Sequence, residues 1–113
     1  MSKRTPKLLL EDILDSATRI LEYTNNMTFE EFQLDNKTID AVTRNFEIIG
    51  EASNLLPEEI KEKYPEVEWY RIRGFRNRIV HDYFGIDLQI IWKITFDQIP
   101  NLILDITRIL NDL

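Results

Sequence analysis

Cysteine is absent from the 113 residues, which excludes disulfides, thiolate nucleophiles and cysteine-based zinc sites together. Glycine and proline are scarce, at three and four residues, whereas an all-β sandwich needs a turn signal roughly every 8–12 residues. An all-β fold is therefore nearly ruled out. Long apolar runs are missing as well: Leu8-Leu9-Leu10 gives way at once to Glu11 and Asp12. Neither a signal-peptide core nor a membrane span fits such a stretch, so a cytoplasmic protein with no membrane partner is the simplest expectation. Basic charge is in deficit, with 14 Lys and Arg against 20 Asp and Glu, a net charge of −6 and a pI near 4.8. That balance is opposite to a protein that coats nucleic acid, and any such contact must be local. Histidine occurs once, at His81.

What remains is the composition of a folded helical domain. Hydrophobic residues make up 43% and charged residues 30% of a chain whose length suits one core, so a single domain over 1–113 is expected. From Lys7 to Met27, Leu9, Ile13, Leu14, Ala17, Ile20, Leu21 and Tyr23 recur at three- and four-residue spacing, an amphipathic helix. Thr28 to Leu34 reads as a connection with a short helical turn capped by Thr28. A second helix is expected from near Asp35 to about Leu55, stopped by Pro57, and a short one between Pro57 and Tyr64. Glu68 to about Tyr83 forms the next, ended by Gly85. Asp87 caps a last long helix that Pro100 should kink or split. The expected architecture is all-α, an antiparallel bundle of four main helices plus a short one.

The segment from Glu68 to Tyr83 carries the chemistry. On a helical wheel, Ile72, Phe75, Ile79 and Tyr83 form the apolar arc with Trp69 at its border, and Arg76 falls inside that arc, while Arg71 and Arg78 suit a solvated face. A guanidinium so placed needs a carboxylate, a phosphate or a wet cleft, because an unpaired buried charge costs several kcal/mol. Glu47 or Glu51 could serve as an internal ion partner. Arg73, Asn77 and His81 follow one another along a strip beside the one carrying Arg76 and Tyr83. His81 is the one side chain whose ordinary pKa suits proton transfer near neutrality, although a histidine late in a helix also serves as a partner of the helix dipole. Arg71, Arg73, Arg76 and Arg78 are half of the eight arginines and leave −10 on the rest of the chain. Gly74 within this helix costs about 1 kcal/mol relative to alanine, which suggests that another backbone or a ligand approaches there.

The run Arg76-Asn77-Arg78-Ile79-Val80-His81-Asp82-Tyr83 resembles the Arg-x4-His-x-Tyr signature of HepT-like members of the HEPN superfamily. The similarity extends to Trp69, Gly74-Phe75, Gly85-Ile86-Asp87, Gly50-Glu51-Ala52 and Ile99-Pro100, and so covers essentially the whole chain. The resemblance implies a metal-independent ribonuclease, the toxin of a toxin–antitoxin pair, acting on tRNA or mRNA as a homodimer with the motifs of two subunits facing one cleft. It implies catalytic roles for Arg76 and His81, supporting or phosphate-binding roles for Asn77 and Arg73, and a minimal nucleotidyltransferase antitoxin that adenylylates Tyr83. No cofactor is expected. Metal catalysis is disfavoured because one histidine and no cysteine leave only scattered acids as ligands. The alternative reading is a noncatalytic helical module that binds RNA or nucleotide, or docks the nucleotidyltransferase.

Overall fold

The computed structural model describes the backbone of residues 4–81 and 87–113 and the side chains of 4–75 and 87–113. Among the described residues there are seven helices and no strand: α1 Pro6–Thr24, α2 Phe29–Leu34, α3 Asn36–Leu55, α4 Glu58–Lys63, α5 Trp69–His81, α6 Leu88–Asp97 and α7 Ile99–Asp112. The all-α expectation holds. Gly85, expected to end α5, lies outside the described residues.

Local chemistry sets most boundaries. Thr5 caps α1 by accepting from the Leu8 N–H at 3.2 Å, with Pro6 following where no donor is needed. Thr28 and Glu31 form a reciprocal capping box on α2, at 3.1 and 2.9 Å. The Asp35 carboxylate accepts from the Thr38 N–H at 3.1 Å and its hydroxyl at 2.8 Å, starting α3. These bonds, the backbone one foremost, hold the Asp35 carboxyl below its ordinary value. A depressed folded-state pKa means that the cap is intact above the ordinary carboxylate value and is lost as pH falls through the folded one. Asp35→Asn keeps an N-cap acceptor without a titrating group, so its thermal stability should decline less steeply than wild type below about pH 4. Parallel acid limbs in melting-temperature profiles would contradict this.

Two sequence expectations need correction. The first helix ends at Thr24 rather than Met27, because the chain leaves helical geometry at Asn25 and takes a left-handed φ of 62° at Asn26. Tyr23, placed on the apolar face, is 41% exposed. The adjacent Thr24 is buried instead, its hydroxyl donating to the Ile20 carbonyl at 2.8 Å. The split expected of the last helix is present, its two halves parting at Gln98. Pro100 then sits in the first turn of α7, where its missing N–H costs no helical bond.

Helix α3 is the centre of the molecule, packing on α1 along one side and on α5 along another. α7 closes against α1 and carries α6, which reaches back to α2. Leu10, Ile13, Ile20, Val42, Ile49, Ile99, Ile106 and Ile109 are fully buried between these helices. Phe29, Phe32 and Phe96 surround Trp92 at centroid distances of 6.0, 5.1 and 4.7 Å, pinning α6 to α2. No described helix is long and apolar enough to cross a membrane.

Candidate active site

Helix α5 carries every motif residue that the structure describes, and its placement begins before its first turn. The Trp69 indole N–H donates to the Tyr64 carbonyl at 3.0 Å, and the Tyr64 hydroxyl donates to Asp112 at the end of α7 at 2.6 Å. That hydrogen bond, followed by burial, raises the Tyr64 pKa above the ordinary phenol range. Arg108 of α7 adds a contact to Glu66 at 3.3 Å. The end of α7 thereby fixes the loop that launches α5.

Within α5, Ile72 and Phe75 are buried as the wheel requires, with Trp69 beside them. The Phe75 ring meets Phe46 of α3 edge to face, with centroids 5.4 Å apart and planes at 90°. This contact fixes the rotation of α5 about its axis. Arg76 stands one turn beyond Ile72, and Asn77 and His81 follow Arg73 by one and two turns. The helix thus gives the motif its expected backbone spacing as far as His81. The side chains of Arg76, Asn77, Arg78 and His81, and all of Tyr83, lie outside the described residues.

Of the arginine cluster, Arg71 and Arg73 are described. Arg71 is exposed and bound to Glu68 one turn earlier at 3.0 Å, which offsets part of its charge. Arg73, expected on the strip of Asn77 and His81 rather than with Arg71 and Arg78, is exposed as well, and among the described residues no carboxylate pairs with it. Of the two acids considered as internal partners for Arg76, Glu47 contacts Arg44 at 3.3 Å and Glu51 is exposed.

Among the described residues, two clefts flank α5 on the side of α6 and α7. One, of about 410 Å³, runs past Ile72 and Phe75 to Asn101 and Arg108. The other, of about 490 Å³, lies between Gly74 and Lys93. A Cβ built on Gly74 meets no atom of the described chain within 4 Å. The close approach expected at this glycine therefore does not come from the described residues. Gly74→Ala should stabilise the isolated fold by about 0.5–1 kcal/mol, because alanine is the better helix former and has room. RNA cleavage should fall at the same time if a second molecule occupies that space. Urea titration and a cleavage assay on one preparation check both, and a stabilised variant of undiminished activity would leave the glycine without a functional role.

The family model described as "Ribonuclease HepT-like" matches residues 13–109, from α1 into the last turn of α7. The chain belongs to the HepT-like ribonuclease family. A protein of Methanocaldococcus jannaschii named as an RNase is 43% identical to it over 113 residues, covering 100% of this chain and 93% of that protein. A protein of Thermococcus cleftensis that carries the name ribonuclease HepT is 42% identical over 100 residues, 88% of this chain and 91% of its own. A third, named as an RNase of Caldanaerobacter subterraneus, is 38% identical over 107 residues, 95% and 96% of the two chains. No solved structure matches. This member of the family is all-helical among the described residues, and α5 carries the positions Arg76 and His81. The sequence reading passed over Tyr70, exposed on the first turn of this helix. The signal was its seven-residue interval to Asn77, two helical turns on one face.

Proposed function

We propose that this chain is a metal-independent endoribonuclease, the toxin of a two-gene toxin–antitoxin pair, which cuts tRNA or mRNA in a cleft shared by two copies. The observation that carries the proposal is the register of α5. Ile72 and Phe75 are committed to the core, and the motif positions follow on the same helix in a chain of the HepT-like ribonuclease family.

The chemistry uses the substrate's own nucleophile. The ribose 2′-hydroxyl attacks the adjacent phosphorus as His81 accepts its proton, and Arg76 holds the non-bridging oxygens whose charge grows in the phosphorane. A proton delivered to the leaving 5′-oxygen completes cleavage, leaving a 2′,3′-cyclic phosphate and a 5′-hydroxyl. With one histidine per chain, base and acid fall to the His81 of each copy across the twofold, or to one of them and water. A planar guanidinium suits this role because it grips two phosphate oxygens at once. Asn77, one turn before His81, orients the imidazole or donates to the phosphate, and Arg73 adds a cation on the approach. A homodimer would set two arginine clusters side by side on an acidic body, focusing attraction for RNA on one groove.

Adenylylation of Tyr83 by a minimal nucleotidyltransferase would place bulk and negative charge where the RNA phosphate must sit, which accounts for silencing. The deciding experiment is incubation of the purified protein with tRNA and mRNA in EDTA. Fragments ending in cyclic phosphate are expected, whereas RNA bound but uncut would turn the reading to a noncatalytic module. Incubation with the nucleotidyltransferase and ATP should then add AMP to Tyr83 and stop cleavage, and intact-mass data locating AMP elsewhere would refute that assignment.

A further inference from the structure

We infer that Tyr70 is a stacking platform for a base of the RNA that flanks the phosphate under attack. This rests on the RNA-cleaving reading given above and assigns the contact that holds the strand along α5. The two adjacent aromatics that open the helix have opposite fates. Trp69 is buried and spends its indole N–H on the Tyr64 carbonyl, whereas Tyr70 is 69% exposed. The fold therefore uses the first ring and leaves the second to solvent.

The position of Tyr70 is specific. It stands half a turn away from the Ile72 and Phe75 stripe and two turns before Asn77, so about 10 Å of helix separates it from the motif and about 16 Å from position 81. Between them lie Arg73, one turn on, and Gly74, where a built Cβ meets no described atom within 4 Å. A cleft of about 390 Å³ beside Tyr70 is lined in part by Pro65, Val67, Trp69 and Arg73. Three acids also border it, but Glu68 is bound to Arg71 at 3.0 Å and Glu58 to Lys61 at 3.7 Å, leaving Glu62 as the remaining carboxylate. An apolar recess edged by an outward aromatic ring and a guanidinium is the chemistry that receives an unpaired nucleobase and the phosphate next to it.

Binding to a 2′-O-methyl oligoribonucleotide, which keeps its bases but cannot be cut, tests the assignment by fluorescence anisotropy. Tyr70→Ala should raise Kd about tenfold. Tyr70→Phe and Tyr70→Trp should restore wild-type affinity, since stacking needs the ring and not the hydroxyl. The salt dependence should keep its slope, because no phosphate contact is lost. On a probe with abasic residues, wild type and Tyr70→Ala should bind equally. In cleavage of ordinary RNA the loss should appear in KM rather than kcat. Equal affinities of wild type and Tyr70→Ala for the intact probe would overturn the inference while leaving the nuclease in place. So would a change in oligomeric state on mutation, which would mark Tyr70 as part of a contact between copies. A wild type that neither binds nor cuts RNA would remove the site reading and this inference together.

Discussion

His81→Ala should slow RNA cleavage by roughly 10²- to 10⁴-fold, the range that a positioned general base or acid contributes. Arg76→Ala should cost about 10²- to 10³-fold, comparable to loss of one preorganised donor at a developing oxyanion. The two variants differ in what else they change. Removing the imidazole deletes a proton carrier, so the pH–rate profile should lose the limb that titrates near neutrality. Removing the guanidinium leaves that limb in place and lowers the whole profile. Arg76→Ala also removes a cation that would contact an RNA phosphate, so its affinity should fall with a shallower salt slope. Single-turnover cleavage in EDTA, with circular dichroism to confirm helicity, provides the measurement. Cleavage at the wild-type rate by either variant would remove the mechanism proposed here, whatever family the chain belongs to.

Sequence and structure agree best where the determinants are local. Thr28 with Glu31, Asp35 and Asp87 were readable as helix starts because a cap is a contact between residues two or three apart. The Arg76-x4-His81 spacing was readable for the same reason, being a distance along one helix. Helix ends were harder. The break at Gln98 precedes Pro100 by two residues, since a proline ring clashes with the carbonyl four residues back and is accommodated only in a first turn. Tyr23 looked like a core aromatic by spacing alone, but the buried face of α1 passes from Ile20 to Thr24 and leaves Tyr23 exposed. The site's surroundings were not legible at all. The clefts beside α5 are completed by residues of α4, α6, α7 and the loop before α5, distant from the motif in the chain. Tyr70 gains its meaning only once Ile72 and Phe75 show which face of α5 is buried.

The same dependence makes Phe46 a sensitive point of the fold outside the motif. It is 1% exposed, sits on the central helix, and meets Phe75 edge to face at 5.4 Å. Among the described residues α3 is the helix on which α5 packs most extensively, so this pair ties the candidate active site to the core. Phe46→Ala removes a large ring from a filled space and should cost about 3–5 kcal/mol in unfolding free energy, the usual loss for a buried phenylalanine. Against a total of about 5–15 kcal/mol for a domain, that is enough to populate the unfolded chain under mild heating. Phe46→Leu keeps most of the volume and should lose far less. Urea titrations at one protein concentration, which holds any self-association constant, give the comparison. Cleavage by Phe46→Ala should fall with the folded fraction and recover on cooling, whereas His81→Ala should remain inactive while fully folded. A loss below about 1 kcal/mol for Phe46→Ala would mean that α5 is held by something other than its seat on α3.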